Sequence, residues 1–421
     1  MRQPDTPQAG GNALDEPRWH LYACLALLLV ALYLVAGQRL RLSAWHVEAQ
    51  TNSALEEAIQ WKRGSLSLES NTYEVAEENG RRYNVVGLAF VLVSLLGTTL
   101  TSLGGGSADA FHGPYYLLLV GIPLPLAAFG SFRSAACSSR WGAVLAGQLI
   151  VGTSLLPVLE ECQGRSQGGS VYFINHVLAV TGLLIFGADL LGRRRVWPAV
   201  LGLALAAWSR QMTLLYVLPL CLLARGSRKG QPRQGLSRSF KIALVGAAFI
   251  AAVPMTLNTL KFGNPIDTGY SRIYQGRTDP IGSRGRESLF GLRYVPTHAW
   301  AMNCALPGLD VRGGSLYLDC AGVNGASIWL TSPILLAAVV TAPRWWRDGR
   351  RRALMLGTLP VIAGLWCYHT TAADGAGHYR YALDFIPIWL LVIAPYVTGR
   401  RAASLALGSL AFSALYFSLI P

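Results

Sequence analysis

Long apolar blocks almost free of charge divide this sequence, and they constrain its fold more than any motif does. His20–Gly37, Pro114–Phe132, Trp141–Leu159, Val171–Leu191, Ile242–Leu260, Ile328–Ala342, Ala353–Tyr368, Tyr381–Val397 and Ala402–Ile420 are such blocks. About 20 apolar residues, wound as a helix, match the hydrocarbon thickness of a bilayer. The run Trp197–Ala224 is too long for one crossing and is interrupted by Ser209-Arg210-Gln211. It reads as two short helices meeting at that polar step. Composition agrees, with 52% of residues hydrophobic and 14% charged, whereas soluble domains carry about 25% charged residues. The expected fold is all-α: a polytopic transmembrane helical bundle of about eleven spans.

A formal net charge of +14 raises the question of nucleic acid. The placement of the charge answers it. Arg133 and Arg140, Arg193 to Arg195, the segment 225–241, Arg344 to Arg352, and Arg400-Arg401 fall in short loops nearly free of acids. That is the positive-inside pattern, so these loops face the cytoplasm. A basic nucleic-acid face would not be divided among loops between spans. The partner is therefore the membrane lipid bilayer, with no nucleic acid. His20–Gly37 follows a polar lead containing acids, without a small-residue cleavage site, and reads as a signal anchor with a cytoplasmic N-terminus. The chain is expected in the cell (inner) membrane.

The organisation follows: a cytoplasmic tail 1–19, a core 20–258 containing a first outer loop 38–113, an extracytoplasmic loop 259–325, and C-terminal membrane helices 326–421. Val85–Leu103 breaks the parity, because a crossing there would carry Arg133 and Arg140 outside. An interfacial or re-entrant helix is the preferred reading, with a true span and an outer N-terminus as the alternative. In the same loop, Asn52–Arg63 reads as an amphipathic helix. Leu55, Ala58 and Ile59 form one face, while Glu56, Glu57, Gln60 and Lys62 form the other, as in a helix lying on a membrane surface. Seven cysteines are too few for a disulfide framework. Cys304 and Cys320 share an outer loop where a bridge can form; pairing and free thiols both fit the sequence.

Polar groups at the outer membrane boundary are costly there and need weighing as functional. Glu48, just after the first block, suits a general base on an acceptor hydroxyl, or is a solvated loop glutamate. Asp109, with His112, faces a membrane-proximal cleft or caps the helix beginning at Pro114. Arg210 must find an anion or water: a phosphate held between two helix ends, or one of the outer-loop acids. His176 lines a cavity or bonds a neighbouring helix. His378, Arg380 and Tyr381 are belt anchors, or a site for an anionic headgroup or sugar with Asp374 nearby. Lys261 and Tyr270 flank a turn-rich segment whose aromatic suits stacking on a sugar ring. No Cys or His pair stands at metal-ligand spacing, and Gly104-Gly105-Gly106 lacks the Lys-Ser/Thr of a phosphate loop.

Four stretches together resemble the GT-C superfamily of integral-membrane glycosyltransferases, of the protein mannosyltransferase and aminoarabinose transferase type. They are His46–Arg63 with Gly80-Arg81-Arg82-Tyr83-Asn84; Gly192–Arg195 followed by Gly202–Arg210; Phe262-Gly263-Asn264-Pro265 with Gly269-Tyr270; and Tyr379-Arg380-Tyr381 followed by Asp384 and Pro387. The resemblance implies a polyprenyl-phosphate-linked sugar donor and inverting transfer to an acceptor on the extracytoplasmic side. Glu48, or Asp109, would be the base, and Arg210 or Arg380 would hold the phosphate. It implies no cofactor, although a divalent metal fits the same chemistry. The superfamily's catalytic carboxylate is usually an Asp, often in an Asp-Glu pair, where this chain has Val47-Glu48. Two competing readings stay open: a transporter or flippase for a lipid-linked or small anionic substrate, and a non-catalytic family member. The absence of an internal repeat weighs against the transporter.

Overall fold

The computed structural model describes residues 47–48, 51–71, 74–111, 113–136, 138–162, 170–193, 195–225, 237–275, 280–312, 315–319, 326–371, 378–398 and 400–418. His20–Gly37, His112, Cys320 and Asp374 lie outside them. Cys304 is an exposed free thiol, so the bridge weighed for Cys304 and Cys320 is not formed. The described chain is mostly helical with three two-stranded ribbons. In chain order these are β1 (Val47–Glu48), α1 (Ser53–Lys62), β2 (Val75–Glu78), β3 (Arg81–Asn84), α2 (Leu88–Leu103) and β4 (Ala110–Phe111). Then come α3 (Pro123–Ala136), α4 (Ser139–Val151), α5 (Leu155–Glu161), α6 (Ser170–Ala188), α7 (Val196–Ser209), α8 (Val217–Ala224) and α9 (Arg238–Phe262). A hairpin β5 (Gly308–Arg312)–β6 (Ser315–Asp319) and helices α10 (Gly349–Trp366), α11 (Ile386–Ile393) and α12 (Arg400–Ser418) complete the frame.

Helix lengths do not deliver eleven crossings. Among the described residues, Gly113–Ala136, Tyr172–Gly192 and Arg238–Phe262 are long and apolar enough to cross a membrane, and α4 with α5 makes a fourth if that pair, bent by 59°, is one span. Ile328–Ala342 and Tyr381–Val397 are broken into short helical pieces, whereas α10 and α12 run unbroken. The two halves of Trp197–Ala224 separate at Arg210 as the sequence indicates, and α7 has 14 residues, about 21 Å of helix against a hydrocarbon layer of about 30 Å. Val85–Leu103 gives the 16-residue α2, about 24 Å.

Two helices define centre and edge. The apolar window of Tyr172–Gly192 is 83% buried, whereas that of α9 is 17% buried and turns Leu244, Val245 and Phe249 outward. α6 is the central helix, and it meets α7 at Gly182 and Gly202. A Cβ on Gly182 would stand 2.4 Å from the Gly202 carbonyl oxygen. This is small-residue packing, which lets two membrane helices approach backbone to backbone. At the far ends of these helices the arginines gather on helix C-termini. Arg195 pairs with Asp189 at 3.1 Å; Arg350 donates to Leu190 O at 3.3 Å, and Arg351 to Leu391 O and Val392 O at 3.1 and 2.9 Å. Cations there complement the helix dipole.

The amphipathic helix forms, but the expected solvated polar face is wrong. Asn52 caps α1, its side chain accepting from Ala54 N and Leu55 N. Glu56, Glu57 and Gln60 are buried together with Leu55, Ala58 and Ile59. The chain after α1 folds back over that face. Glu56 accepts from Glu69 N at 2.7 Å and Ser70 N at 2.8 Å, and Glu57 accepts from Asn84 Nδ2 at 2.7 Å. Lys261, at the end of α9, pairs with Glu57 at 2.6 Å and donates to Asn84 O at 3.0 Å. Amphipathicity marks two chemically different faces; it does not say which one meets water.

The Lys261–Glu57 pair therefore staples α9 to the first outer loop. Losing one member of such a pair strands a buried charge, at about 3 kcal/mol. Lys261→Ala is expected to lower the thermal unfolding midpoint of the detergent-solubilised protein strongly, and Lys261→Met combined with Glu57→Leu much less. A double variant as unstable as the single one would refute the staple.

Candidate functional site

α7 ends where Arg210 leaves the helix, at φ −137° and ψ 102°. The chain winds again as a 3₁₀ turn over Gln211–Tyr216 before α8. The break is held by its own polar groups. Arg210 N donates to Ala206 O at 2.7 Å, and Arg210 O accepts from Thr213 N and Thr213 Oγ1 at 2.9 and 2.8 Å. α2 arrives at this point through Gly87, where a Cβ would lie 2.4 Å from Trp208 O and 2.6 Å from Ser209 O. Glycine is what permits that approach.

The Arg210 side chain meets Asp384, which ends the 3₁₀ turn Arg380–Asp384. Nε lies 3.2 and 3.4 Å from the two carboxylate oxygens, and Nη2 lies 3.2 Å from the second. A two-pronged contact of this kind is the strongest common form of ion pair. Asp384 is fully buried and the Arg210 side chain is 20% exposed. Tyr216 donates its hydroxyl to Asp384 O at 3.0 Å. The partner is thus an acid from a late apolar block, and not one of the outer-loop acids weighed for Arg210. His176, 1% exposed on α6, places Nδ1 3.9 Å from Asp384 Oδ1 and stacks on Tyr381 at 6.2 Å between centroids.

Tyr381 joins two guanidiniums. Arg210 Cζ is 4.8 Å from its ring centroid and Arg380 Cζ is 5.9 Å. Arg380 also lies over Phe173 at 5.1 Å and Tyr172 at 6.0 Å. Among the described residues Arg380 makes no ion pair, and its buried Nε makes no hydrogen bond. Tyr172 in turn donates its hydroxyl to Glu74, a buried residue in the left-handed backbone region at φ 59°. Burial, then the Glu74 carboxylate, pushes the Tyr270 phenol well above its usual range. Arg210, Arg380, His176, Tyr381 and Tyr270 thus gather around Asp384 and Glu74.

The other sequence candidates stand elsewhere. Glu48 pairs with Ala110 across the β1–β4 ribbon; the surroundings of its carboxylate are outside the description. Asp109, next on the ribbon, is 60% exposed and pairs with Arg63 at 3.4 Å, so it neither caps a helix nor enters the Arg210 cluster. α2 gives the spacing between the two groups. It touches the Arg210 break at Gly87 and the ribbon at Gly97, where a Cβ would lie 2.2 Å from the Phe111 ring. Those points are about 15 Å apart along the helix. His378 is buried with its ring edge-on to Phe417 at 6.0 Å, and Lys261 is engaged with Glu57.

Sequence reasoning missed Glu74, Tyr172, Phe173 and His298, and it met Asp384 only through the family resemblance. Asp384 carried a usable signal, being an acid inside an apolar block. His298 lies on the helix Val295–Asn303. Burial pushes its imidazole down to about 4, so the ring is neutral at physiological pH and has one N–H. Nε2 is 2.8 Å from the Tyr368 carbonyl oxygen, which can only accept. Nε2–H therefore donates to it, and Nδ1 accepts from the Tyr379 hydroxyl at 2.8 Å. Tyr379 packs edge-on against Tyr381 at 6.2 Å.

No family model, curated protein or solved structure matches the chain.

A folded pKa near 4 against an ordinary 6.5 means the unfolded chain binds the proton more tightly. The stability held by neutral His298 is complete above pH 6.5 and is lost as pH falls toward 4, by about 3 kcal/mol at most. Unfolding midpoints between pH 7 and pH 4 should fall in the wild type and fall less in His298→Gln. Parallel pH profiles for the two proteins would exclude His298 as the titrating group.

Proposed function

We propose that this chain is a multi-pass inner-membrane glycosyltransferase that takes a sugar from a polyprenyl-phosphate-linked donor. Transfer goes to an acceptor hydroxyl on the extracytoplasmic side, with inversion. The observation that carries the reading is Arg380: a cation set among Tyr172, Phe173 and Tyr381 with no carboxylate partner among the described residues. Arg210 beside it is already neutralised by Asp384. Of the two arginines, Arg380 is therefore the phosphate ligand and Arg210 its support. A guanidinium is suited to a phosphate, and aromatic rings to the faces of a sugar.

The chemistry then needs a base. Glu48 takes the proton of the acceptor hydroxyl. The acceptor oxygen bonds to the anomeric carbon from the face opposite the leaving group, and the bond from that carbon to the phosphate oxygen breaks. The lipid phosphate leaves with the electron pair, its charge held by Arg380. The base enters this scheme from the sequence.

The reading places about eleven apolar segments in or across the bilayer, with α2 as an interfacial or re-entrant helix. The charge pattern supports the orientation. Glu74, Tyr270 and Arg380, from segments assigned to the outer side by loop charge, meet at one cluster with the outer end of α6. Arg195, Arg350 and Arg351 gather at the other ends of the bundle helices. A carrier for a lipid-linked or small anionic substrate would use the same discontinuous helix at Arg210, so the assay has to separate binding from turnover.

In membranes supplied with labelled polyprenyl-phosphate sugars, Glu48→Ala should reduce transfer about 10²-fold. Arg380→Ala should reduce it at least about tenfold, with partial rescue by Arg380→Lys. Full turnover in both alanine variants removes the site assignment, and donor binding without turnover in the wild type indicates carriage instead. For orientation, a cysteine at position 107 should label from outside the cell while one at position 136 is protected. The reverse pattern overturns the placement of Val85–Leu103.

A further inference from the structure

Where the apolar block Ile328–Ala342 reaches its arginine-rich end, one helical path carries three kinds of side chain in order. After a 3₁₀ turn at Pro333–Leu335 the chain winds through the short helices Leu336–Val340 and Ala342–Trp345. One face of this path is buried. It carries Ala337, Ala338, Thr341 and Trp345, whose indole Nε1 donates to Ala338 O at 2.8 Å. Residues three or four apart share a helix face, and the opposite one carries Leu336, Val339, Val340, Pro343, Trp346 and Arg347, all exposed. That face is aliphatic at one end, aromatic further on and basic at the other. From Leu336 to Arg347 the path rises about 16 Å, close to half the bilayer's hydrocarbon thickness of about 30 Å.

The basic end is not neutralised from within. Arg344 and Arg347 are exposed, and among the described residues they make neither an ion pair nor a side-chain hydrogen bond. Arg352, from the start of α10, donates to Trp346 O at 3.4 Å and lies over the Trp346 ring at 5.6 Å. A third exposed guanidinium thus stands at the same corner. Asp348, between them in the sequence, is already engaged. It caps α10 through Arg350 N and Arg351 N, and it pairs with the Arg351 side chain at 3.2 Å. Arg351 itself turns onto the Leu391 and Val392 carbonyls. Three guanidiniums therefore face outward above an aliphatic stripe, with a tryptophan between the two. Loop arginines are common on the cytoplasmic side of a membrane; the ordered stripe beneath these three is what distinguishes the corner.

We propose that this corner binds an anionic phospholipid of the cytoplasmic leaflet. Arg344, Arg347 and Arg352 take its phosphate, to which a guanidinium presents paired donors. Trp346 lies at the level of the headgroup boundary, where tryptophan is at home, and an acyl chain runs along Val340 and Leu336. A zwitterionic lipid meets the same stripe with no net charge to offer the arginines. The site uses neither the sugar donor nor the base, so it is independent of the transferase reading.

The test is lipid binding to the full-length protein in detergent micelles, with bound lipid counted by mass spectrometry of the intact complex. The probes are phosphatidylglycerol and phosphatidylcholine with the same acyl chains. Phosphatidylglycerol should bind at least about tenfold more tightly. Arg344→Gln combined with Arg347→Gln should remove most of that preference, at about fivefold for each arginine. Phosphatidylcholine binding should be unchanged in that variant, which a folding defect would not allow. A control variant, Arg238→Gln with Lys241→Gln, removes the same charge from the exposed start of α9 and should keep the preference. Should the first double variant fail to fold, Arg347→Gln alone decides, with a loss of about fivefold expected. No preference for phosphatidylglycerol in the wild type, or a preference that survives the loss of Arg344 and Arg347, overturns the proposal. Equal loss in the two double variants also overturns it, because the lipid would then respond to the charge of the whole cytoplasmic face and not to this corner.

Discussion

The Arg210–Asp384 ion pair is the interaction on which the rest of this structure depends. An arginine between two short apolar helices is tolerable only with a partner, because an unpaired buried charge is far more costly than a paired one. Asp384 supplies that partner from a segment 174 residues later in the chain. The contact fixes the break between α7 and the turn that follows, and it fixes where the 3₁₀ turn Arg380–Asp384 must lie. Arg380, Tyr381 and Tyr379 are consequences of that placement. Tyr216 and His176 complete the surround, one through the Asp384 carbonyl and the other through Tyr381. A single electrostatic requirement thus assembles side chains from three distant parts of the sequence.

The pair also changes which arginine is available. Two-pronged binding to a carboxylate occupies the geometry that would otherwise grip a phosphate. Arg380 is held instead by aromatic faces, which orient a guanidinium without neutralising it. The difference follows from neighbours, since the two residues are chemically identical. A similar division runs through the lysine and carboxylate candidates. Lys261 is engaged by Glu57 and fastens α9 to the outer loop, and Asp109 is engaged by Arg63 at the surface.

Much of this was legible in the sequence, and the failures have physical causes. The polar step Ser209-Arg210-Gln211 located the helix break because nothing else explains a charge inside an apolar run. Arg210, Arg380, His176, Tyr381 and Tyr270 were all identified by their position near the outer boundary, and the structure brings them together. The polar face of α1 was misread because periodicity reports that two faces differ and leaves open what covers each. Here the cover is the chain itself: its outer loop through Ser70 and Asn84, and the end of α9 through Lys261. Hydropathy registers apolar length and not helix continuity, so about eleven crossings are expected where three or four helices among the described residues are long and apolar enough to cross. Glu74 and His298 were invisible because their roles arise from long-range contacts: a tyrosine 98 residues away for Glu74, and Tyr368 and Tyr379 for His298.

The central claim is that Arg380 holds the phosphate of a lipid-linked donor beside the Arg210–Asp384 pair. Its most direct test is an experimental structure of the protein in a lipid nanodisc with a polyprenyl phosphate bound. The account predicts the phosphate within hydrogen-bond distance of the Arg380 guanidinium, with Arg210 still joined to Asp384. A phosphate bound away from Arg380, or an Arg380 guanidinium found paired with a carboxylate of the chain, would contradict it.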